Sequence, residues 1–177
     1  MRTPDLSATA VCGLFCQACS LYIGSTECPE RIEAFMKRWQ KSRDEATCHG
    51  CRSRTLAWHC RGCNLKACAA RKGVAFCAEC ADFPCAEFRA FVAGELADPV
   101  IAGKRPHRLE LTADCAAIKE KGWQAWAIEK VESYSCASCG TINSAYDLKC
   151  RKCGHEPGNA FVARNREAIF GFLTRAR

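Results

Sequence analysis

The sequence lacks the features that would place it in a membrane or an export pathway. No uninterrupted apolar run approaches the roughly eighteen residues that a transmembrane helix requires. The segment from Ala8 to Ile23 is apolar enough to resemble an export signal, but three cysteines and Gln17 interrupt it and no basic segment precedes it. These absences favour a cytoplasmic protein that does not associate with a membrane.

The sequence also lacks the common catalytic motifs. It contains no HExxH zinc-protease motif and no glycine-rich phosphate loop. No serine or cysteine nucleophile has an identifiable base nearby in the sequence. The chain is therefore expected to be a binding protein and not an enzyme.

Cysteine, by contrast, is abundant: 17 of the 177 residues are cysteines. At this density, crosslinks usually substitute for part of an apolar core. Disulfide frameworks belong to oxidising compartments, whereas cysteine pairs in cytosolic proteins more often bind metal. We therefore expect metal-bound thiolates and not cystines.

The cysteines occur mainly as CxxC pairs, a spacing that lets two sulfurs reach one ion across a tight turn. Two such pairs complete a tetrahedral shell of four thiolates around zinc. The densest stretch runs from Cys48 to Cys85 and uses the pattern CxxCxxxxC twice in succession. The six pairs are Cys16/Cys19, Cys48/Cys51, Cys60/Cys63, Cys77/Cys80, Cys136/Cys139 and Cys150/Cys153.

The first cysteines have the spacing CxxxCxxC, at Cys12, Cys16 and Cys19. Radical SAM enzymes use the same spacing to bind a [4Fe-4S] cluster, but this short chain has no series of alternating strands and helices to build their barrel. Three structural ligands are the favoured interpretation. His49 and His59, each beside a ligand cysteine, are alternative nitrogen ligands.

The last two pairs predict a zinc ribbon. Nine residues separate C136ASCG from C150RKCG, which is enough for a small hairpin. A glycine follows the second cysteine of each pair, where the backbone of a metal-binding knuckle turns at positive φ. A rubredoxin-type iron site would need the same spacing, so the pattern identifies the ligands more firmly than the metal.

Apolar periodicity predicts four helices outside these sites. They are a helix of about a dozen residues beginning at Pro29, a short helix at 86–96, a helix at 110–132 with a possible bend at Gly122, and a basic terminal helix at 159–177. Cys115, which has no partner cysteine nearby, is expected to be a buried apolar residue. Residues 41–79 have little apolar pattern, so their order is expected to come from metal.

The predicted fold class is a small metal-stabilised α+β protein of irregular loops and short helices, with a zinc-ribbon hairpin and a terminal helix. The predicted divisions are a cysteine-rich metal domain at 1–97, a linker and helix at 98–133, the ribbon at 134–156 and a basic amphipathic helix at 157–177. Asp98, Pro99, Gly103 and Pro106 mark the linker.

Two groupings of the remaining cysteines are open. In one, the four N-terminal CxxC pairs combine two by two, and Cys12, Cys28, Cys68 and Cys85 surround a third ion. In the other, the triads 12/16/19, 60/63/68 and 77/80/85 stay together and each borrows a fourth ligand. Together with the ribbon, either grouping gives about four zinc sites, with iron or an iron-sulfur cluster as an alternative in the N-terminal sites.

The motif order CGLFCQACSLYIG, CHGC, CxxCxxxxCAARKGVAFCAECADFPC and IKEKGWQAW, followed by the ribbon, resembles the domain of unknown function 3795 family. That family is described as cysteine-rich and is presumed to bind metal. The resemblance implies a ligand role for Cys12, Cys16, Cys19, Cys48, Cys51, Cys60, Cys63, Cys68, Cys77, Cys80 and Cys85. Cys28 belongs less regularly to the family pattern.

The expected function is that of a non-catalytic zinc protein that interacts with a protein partner or regulates one. The formal net charge of +7 is weak evidence for nucleic-acid binding, because sixteen thiolates on four zinc ions would lower it to about −1. The alternatives are an iron-sulfur redox protein and a nucleic-acid binder that uses the ribbon and the basic terminal helix.

Overall fold

The computed structural model describes residues 5–96 and 106–175. The predicted linker residues Asp98, Pro99 and Gly103 lie outside this range, and the side chains described in the terminal segment end at Gly171, before Phe172 and Leu173. The helices are α1 (Ser20–Thr26), α2 (Pro29–Trp39), α3 (Arg43–Ala46), α4 (Asn64–Lys72), α5 (Ala86–Leu96), α6 (Leu111–Tyr134), α7 (Ala160–Arg164) and α8 (Arg166–Arg175). None of the helices within the described ranges is long and apolar enough to cross a membrane.

The predicted β content is the main difference in fold class. The β-structure within residues 5–96 and 106–175 consists of two isolated antiparallel bridges, Thr9 with Phe15 and Ser135 with Ile142. Neither bridge extends into a strand. The described part of the chain is mostly helical with irregular loops, and the predicted ribbon hairpin is not formed by strands. Short 3-10 turns take the place of strands around several cysteines, as at Cys16–Ala18 and Cys77–Glu79.

Helix α2 confirms the apolar stripe predicted from the sequence. Pro29 lies in its first turn, where no backbone donor is lost. Ile32 is buried, and Phe35 and Met36 pack against a small cluster formed by Leu21, Ala46, Cys48 and Ala57. Trp39, at the end of the stripe, is 52% exposed. The helix therefore covers one side of the N-terminal cysteine segment.

Helix α6 reverses direction at Gly122, whose φ of 83° and ψ of 157° are not helical. In a straight helix Glu110 and Lys130 would be about 30 Å apart. Instead, Lys130 Nζ donates a hydrogen bond to Glu110 Oε2 at 3.0 Å, and Trp126 Nε1 donates to Asp114 Oδ1 at 3.1 Å. The two arms, 111–121 and 123–134, therefore pack side by side, which is a larger change of direction than the predicted bend.

The arms of α6 bring an apolar core to the cysteine-rich segment. Trp126, which is 1% exposed, makes edge-to-face contacts with Phe15 at 6.1 Å and Phe76 at 6.0 Å between ring centroids. Each phenylalanine directly precedes a CxxC pair, at Cys16 and at Cys77. The sequence predicts that metal binding replaces an apolar core in this segment. The structure instead has an apolar core beside the cysteines.

The predicted terminal helix is divided at Asn165 into α7 and α8. Phe161 and Val162 of α7 are fully buried, and Phe161 stacks on Tyr134 with ring centroids 4.9 Å apart. Asn159 begins α7 by accepting a hydrogen bond from the amide of Val162 at 2.8 Å. The end of the chain thus joins the same core as α6.

Candidate metal centres

The clearest candidate centre is the C-terminal group, which consists of Cys136, Cys139, Cys150 and Cys153. Their four Sγ atoms lie within 4.8 Å of one another. The Sγ atoms of Cys136 and Cys153 are 3.6 Å apart, as are those of Cys139 and Cys150. Zn–S bonds of about 2.3 Å in a tetrahedron place the sulfurs about 3.8 Å apart. The C-terminal group therefore has the spacing of a four-thiolate metal site.

Two backbone turns aim these sulfurs inward. Gly140 and Gly154 have φ values of 69° and 74°, as predicted from their positions after each pair. Their amides donate to the carbonyls of Cys136 at 2.9 Å and of Cys150 at 3.0 Å. In this left-handed conformation a residue with a Cβ would be strained.

Amide N–H groups point at the sulfurs of the C-terminal group, as they do toward thiolates. Burial raises the pKa of Cys150, but hydrogen bonds from the amides of Cys153 and Lys152 and from the side chain of Asn143 lower it by more, and the resulting pKa is about 6. The hydroxyl and the amide of Thr141 lower the pKa of Cys139. Negative sulfur is thus stabilised at Cys139 and Cys150 even before a cation is considered. At Cys153 the amide of His155 lowers the pKa, but burial and the sulfurs of the other three cysteines raise it more, to about 11.

Hydrogen bonds of buried polar side chains, and not β-strands, stabilise the loop between the two turns. Asn143 donates to the carbonyls of Thr141 and Gly158, both at 2.9 Å, and accepts from the amide of Arg151 at 3.0 Å. Asn159 donates to the carbonyl of Ser144 at 3.1 Å. Sequence reasoning did not identify these asparagines. Their signal is the presence of polar residues in a segment that must be buried to bring the cysteines together.

The middle group consists of Cys68, Cys77, Cys80 and Cys85, which line an apolar cavity of about 80 Å³. The 3-10 turn Cys77–Glu79 joins two of them, and the amide of Cys80 donates to the carbonyl of Cys77 at 3.1 Å. Burial raises the pKa of Cys77 to about 11, and the sulfurs of Cys85 and Cys68 raise it as well. The cysteines of the triad 77/80/85 therefore line the same cavity as Cys68, which is a fourth potential ligand.

Helix α4, which the sequence analysis did not predict, separates Cys63 from Cys68. Cys63 precedes the first residue of α4 and Cys68 lies within it. At 100° per residue the two positions face directions about 140° apart, so the predicted triad 60/63/68 is divided between two groups. Gly73, with φ of 64°, ends α4 after Arg71 and Lys72, which is a sequence signal of a helix C-terminus.

The N-terminal group consists of seven cysteines around one cavity of about 150 Å³: Cys12, Cys16, Cys19, Cys48, Cys51, Cys60 and Cys63. Phe15, Tyr22, His59, Phe91, His107 and Arg108 also line this cavity. Three loop segments and the turn Cys16–Ala18 therefore converge on one space. The number of cysteines exceeds the four that a single zinc ion binds.

Burial disfavours an isolated negative charge on five of these thiols, and it raises the pKa of Cys12, Cys16, Cys19, Cys51 and Cys60. It raises the pKa of Cys12 far above its ordinary value, and it raises the pKa of Cys60 to about 12, with further increases from the sulfurs of Cys48 and Cys19. Nevertheless, amides point at the sulfurs: Leu14 donates to Cys12, and Cys51 donates to Cys16. N–H groups aimed at buried sulfur suit thiolates that a cation neutralises.

The remaining candidate ligands lie elsewhere. The Sγ atom of Cys28 accepts from Arg151 Nη1 at 3.3 Å and does not line either N-terminal cavity, so Cys12, Cys28, Cys68 and Cys85 do not converge. Cys115 is 1% exposed, as predicted, and its Sγ donates to the carbonyl of Cys12 at 3.3 Å. His49 is exposed. All seventeen cysteines are free thiols in the structure.

Comparison with known proteins supports the resemblance found in the sequence. Residues 8–90 match the model of a family described as protein of unknown function (DUF3795). This range contains the N-terminal and middle groups and excludes the C-terminal group. No curated protein and no solved structure matched the chain.

Proposed function

We propose that this protein binds zinc through cysteine thiolates, that the metal stabilises its fold, and that the folded protein acts by binding another protein without catalysing a reaction. The observation that carries the proposal is the close grouping of the four C-terminal sulfurs, which lie within 4.8 Å of one another, with 3.6 Å between Cys136 and Cys153 and between Cys139 and Cys150. A shell of four thiolates has no open position for a substrate or an activated water, which is typical of structural zinc.

The middle group supports the same function. It offers four cysteines and an apolar wall that includes Leu65, Val74 and Phe83. Apart from Lys72, whose amine pairs with Asp82, the lining is apolar and provides few of the polar side chains that a catalytic zinc site has around its open position. Structural zinc contributes on the order of 10 kcal/mol to the folding of small domains, which would offset the short helices and irregular loops of this region.

Ion pairs within the chain favour a protein partner over a nucleic acid. Arg164 contacts Glu110 at 3.1 Å, Arg166 contacts Glu156 at 2.8 Å, and Arg151 pairs with Glu27. These basic side chains of the C-terminal region already have acidic partners, which reduces the charge they offer to phosphate. An interaction with nucleic acid through this region would need those pairs to open.

The test is the metal content of protein purified without oxygen and without added metal, measured by elemental analysis and native mass spectrometry. We expect zinc as the dominant metal, and we expect Cys153→Ser to contain one zinc ion fewer than the wild type. Cys115→Ser is the matched control, because Cys115 is outside all three groups, and it should retain the wild-type content. A wild-type protein that folds without metal would contradict the proposal.

An iron-sulfur redox protein is the second candidate, and the N-terminal group favours it. A cavity of about 150 Å³ lined by seven cysteines is larger than a mononuclear site requires. Buried clusters are held by cysteine thiolates with amide N–H groups directed at sulfur. Iron, acid-labile sulfide and a visible absorption band in anaerobically purified protein would establish this candidate, and a colourless protein without iron would exclude it.

A further inference from the structure

Two tryptophans form an aromatic patch on the outside of the N-terminal region. Trp39, the last residue of α2, is 52% exposed, and Trp58 is half-buried. Their ring centroids are 6.4 Å apart, with 44° between the ring planes. Single exposed apolar residues are ordinary on a protein surface, but adjoining large ones at a polar rim are typical of an interaction site.

Basic side chains lie against both rings of this patch. The guanidinium carbon of Arg38 is 5.6 Å from the ring centroid of Trp39, and Lys41 Nζ is 5.9 Å from that of Trp58. Tryptophan and arginine are the residues most enriched where protein interfaces have their largest binding energies. The patch therefore has the composition of a protein interface.

A basic cleft of about 430 Å³ opens between the same two segments of the chain, 33–47 and 54–61. Arg61 is fixed there by hydrogen bonds that it donates to the carbonyls of Leu56 at 3.0 Å and of Asp44 at 2.7 Å. Guanidinium and hydroxyl groups in one cleft can donate together to a carboxylate. The cleft is lined by Asp44, Thr47, Arg54, Thr55, Leu56 and Arg61.

The charges of these two segments do not balance. Segments 33–47 and 54–61 contain six basic and three acidic residues. Two of the acids are already paired, Glu45 with Lys41 at 3.1 Å and Glu33 with Arg43 at 3.5 Å. Four exposed cations form no ion pair with any residue of 5–96 or 106–175: Lys37, Arg38, Arg54 and Arg61. The excess positive charge complements an acidic partner.

We propose that the surface of segments 33–47 and 54–61 binds an acidic segment of a partner protein. An aromatic or large aliphatic side chain of the partner packs against Trp39 and Trp58, and its carboxylates pair with Arg38 and with the arginines of the cleft. This inference rests on the proposed function, for which it supplies the docking surface and the chemistry of the partner.

The surroundings of the two rings favour a peptide over a single-stranded nucleic acid. A nucleobase stacks on a free aromatic face, but Arg38 lies over the ring of Trp39, and His59 contacts the ring of Trp58 edge to face at 4.7 Å between centroids. A phosphate backbone also needs a row of available cations, and Lys41 is already in an ion pair. A peptide side chain can instead pack against the edges of both rings.

The test selects binders from a displayed library of short random peptides, with zinc-loaded full-length protein as the target. We expect the selected peptides to combine several aspartates or glutamates with an aromatic or large aliphatic residue. A synthetic copy of one selected peptide should bind more weakly at high salt, because salt screens exposed charges. Selected peptides that are basic, or that share no composition, would overturn the proposal.

Matched variants locate the binding surface. Trp39→Ala should weaken binding of the selected peptide at least about 30-fold, as for a residue at the centre of an interface. Arg38→Glu should weaken it about tenfold, because it opposes the charge of the peptide. The controls, which should bind as the wild type does, are Phe170→Ala, at a position 51% exposed, and Lys119→Glu, at an exposed position of α6.

The zinc content of every variant is measured in the same samples, so that failure of this inference can be distinguished from failure of the proposed function. Equal peptide binding by Trp39→Ala, Arg38→Glu and the wild type would overturn this surface and leave the proposed function in place. Binding of single-stranded oligo(dT) that both substitutions abolish, without selection of acidic peptides, would overturn it in favour of a nucleic acid. A wild-type protein without zinc in the C-terminal group would overturn the proposed function itself.

Discussion

At the scale of single residues, the loop of the C-terminal group depends on Gly158. Its amide donates to the carbonyl of Leu148 at 2.8 Å, and its own carbonyl accepts from Asn143. A Cβ at this position would lie 2.1 Å from the carbonyl oxygen of Asp147, which is closer than real atoms approach. The backbone of this loop has room for glycine alone.

We therefore expect Gly158→Ala to lower the free energy of unfolding by about 1–3 kcal/mol, the usual cost of overpacking. Gly62→Ala is the control, because an added Cβ there has no atom within 4 Å. Denaturant unfolding of both variants in the zinc-loaded state would measure the difference. Equal stability of the two variants would show that the loop moves aside at no cost.

Glu110 links three parts of the chain through its carboxylate. It accepts hydrogen bonds from Lys130 at 3.0 Å, from Arg164 at 3.1 Å and from Asn165 at 3.1 Å. Burial raises the pKa of Glu110, but these partners lower it more, so that the net pKa lies below its usual value. The carboxylate thus stabilises the junction of α6 with α7 and α8.

Glu110→Gln should lower the free energy of unfolding by about 1–3 kcal/mol at neutral pH, as for loss of a hydrogen-bonded charge. Because the folded pKa is lowered, this contribution is present above the unfolded pKa of about 4.3 and is lost as the pH falls through the folded value. The deficit should therefore stay constant from pH 6 to pH 8.

Glu120→Gln, at an exposed position of α6, is the matched control for this measurement and should change little. Chemical unfolding at several pH values between 6 and 8 gives the comparison. A deficit that rose or fell across that range would mean that another titrating group, and not Glu110, controls it.

At the scale of elements, the reversal of α6 places Trp126 between the two turns that carry Cys16 and Cys77. Phe15 and Phe76 both contact its ring system edge to face, and Asp114 accepts a hydrogen bond from its indole nitrogen. Val11, beside Cys12, accepts a hydrogen bond from the amide of Cys77 at 2.7 Å. The two cysteine segments are thus joined both to α6 and to each other.

Trp126→Ala should lower the free energy of unfolding by about 3–5 kcal/mol, since it leaves a cavity and removes the indole hydrogen bond to the buried Asp114. Trp39→Ala is the control, because Trp39 is 52% exposed. Zinc release to a chromogenic chelator should be faster from Trp126→Ala than from Trp39→Ala. Equal release rates would indicate that α6 does not support the cysteine groups.

The elements also explain which ligands the sequence can predict. The C-terminal group is formed by two turns that are close in sequence, and glycines after each pair mark them, so its four cysteines follow from spacing alone. The grouping of the other cysteines does not follow from spacing, because α4 directs Cys63 and Cys68 into different cavities. The signals for α4 are weak, since its buried positions, Leu65 and Ala69, are few.

The sequence predicts only a bend of the helix at Gly122 and not the reversal of its direction. A glycine in an otherwise helical pattern does not reveal its backbone angles, and the contacts that hold the arms together join residues twelve to twenty positions apart. The apolar core was underestimated for a related reason. Phe15 and Phe76 end short apolar segments in cysteine-rich loops, and these segments are too short for periodicity to detect.

At the scale of the whole molecule, stability has two sources, the cysteine groups and the core around α6. Removing metal leaves buried thiols without a cation, whereas the contacts of Trp126 with Phe15 and Phe76, and of Tyr134 with Phe161, are made between aromatic rings. We expect the metal-free protein to lose structure first in the loops that carry the cysteines and to retain helix in the arms of α6.

Hydrogen–deuterium exchange before and after treatment with a strong chelator tests which segments lose structure without metal. The segments 48–63 and 136–153 should exchange rapidly in the metal-free protein, and 111–134 should keep part of its protection. Return of zinc should restore the original pattern. Uniform, complete exchange of the whole chain would mean that the core does not persist without metal, and unchanged exchange would mean that metal contributes no stability.

The position of one indole ring between two cysteine turns has a consequence for how the protein fills with metal. An ion that ordered the turn at Cys16 would also fix Phe15 against Trp126, whose ring contacts Phe76 beside the turn at Cys77. Molecules with metal in only one of these two groups should be scarce in a zinc titration followed by native mass spectrometry. The N-terminal and middle groups would then fill together within a narrow range of zinc concentration.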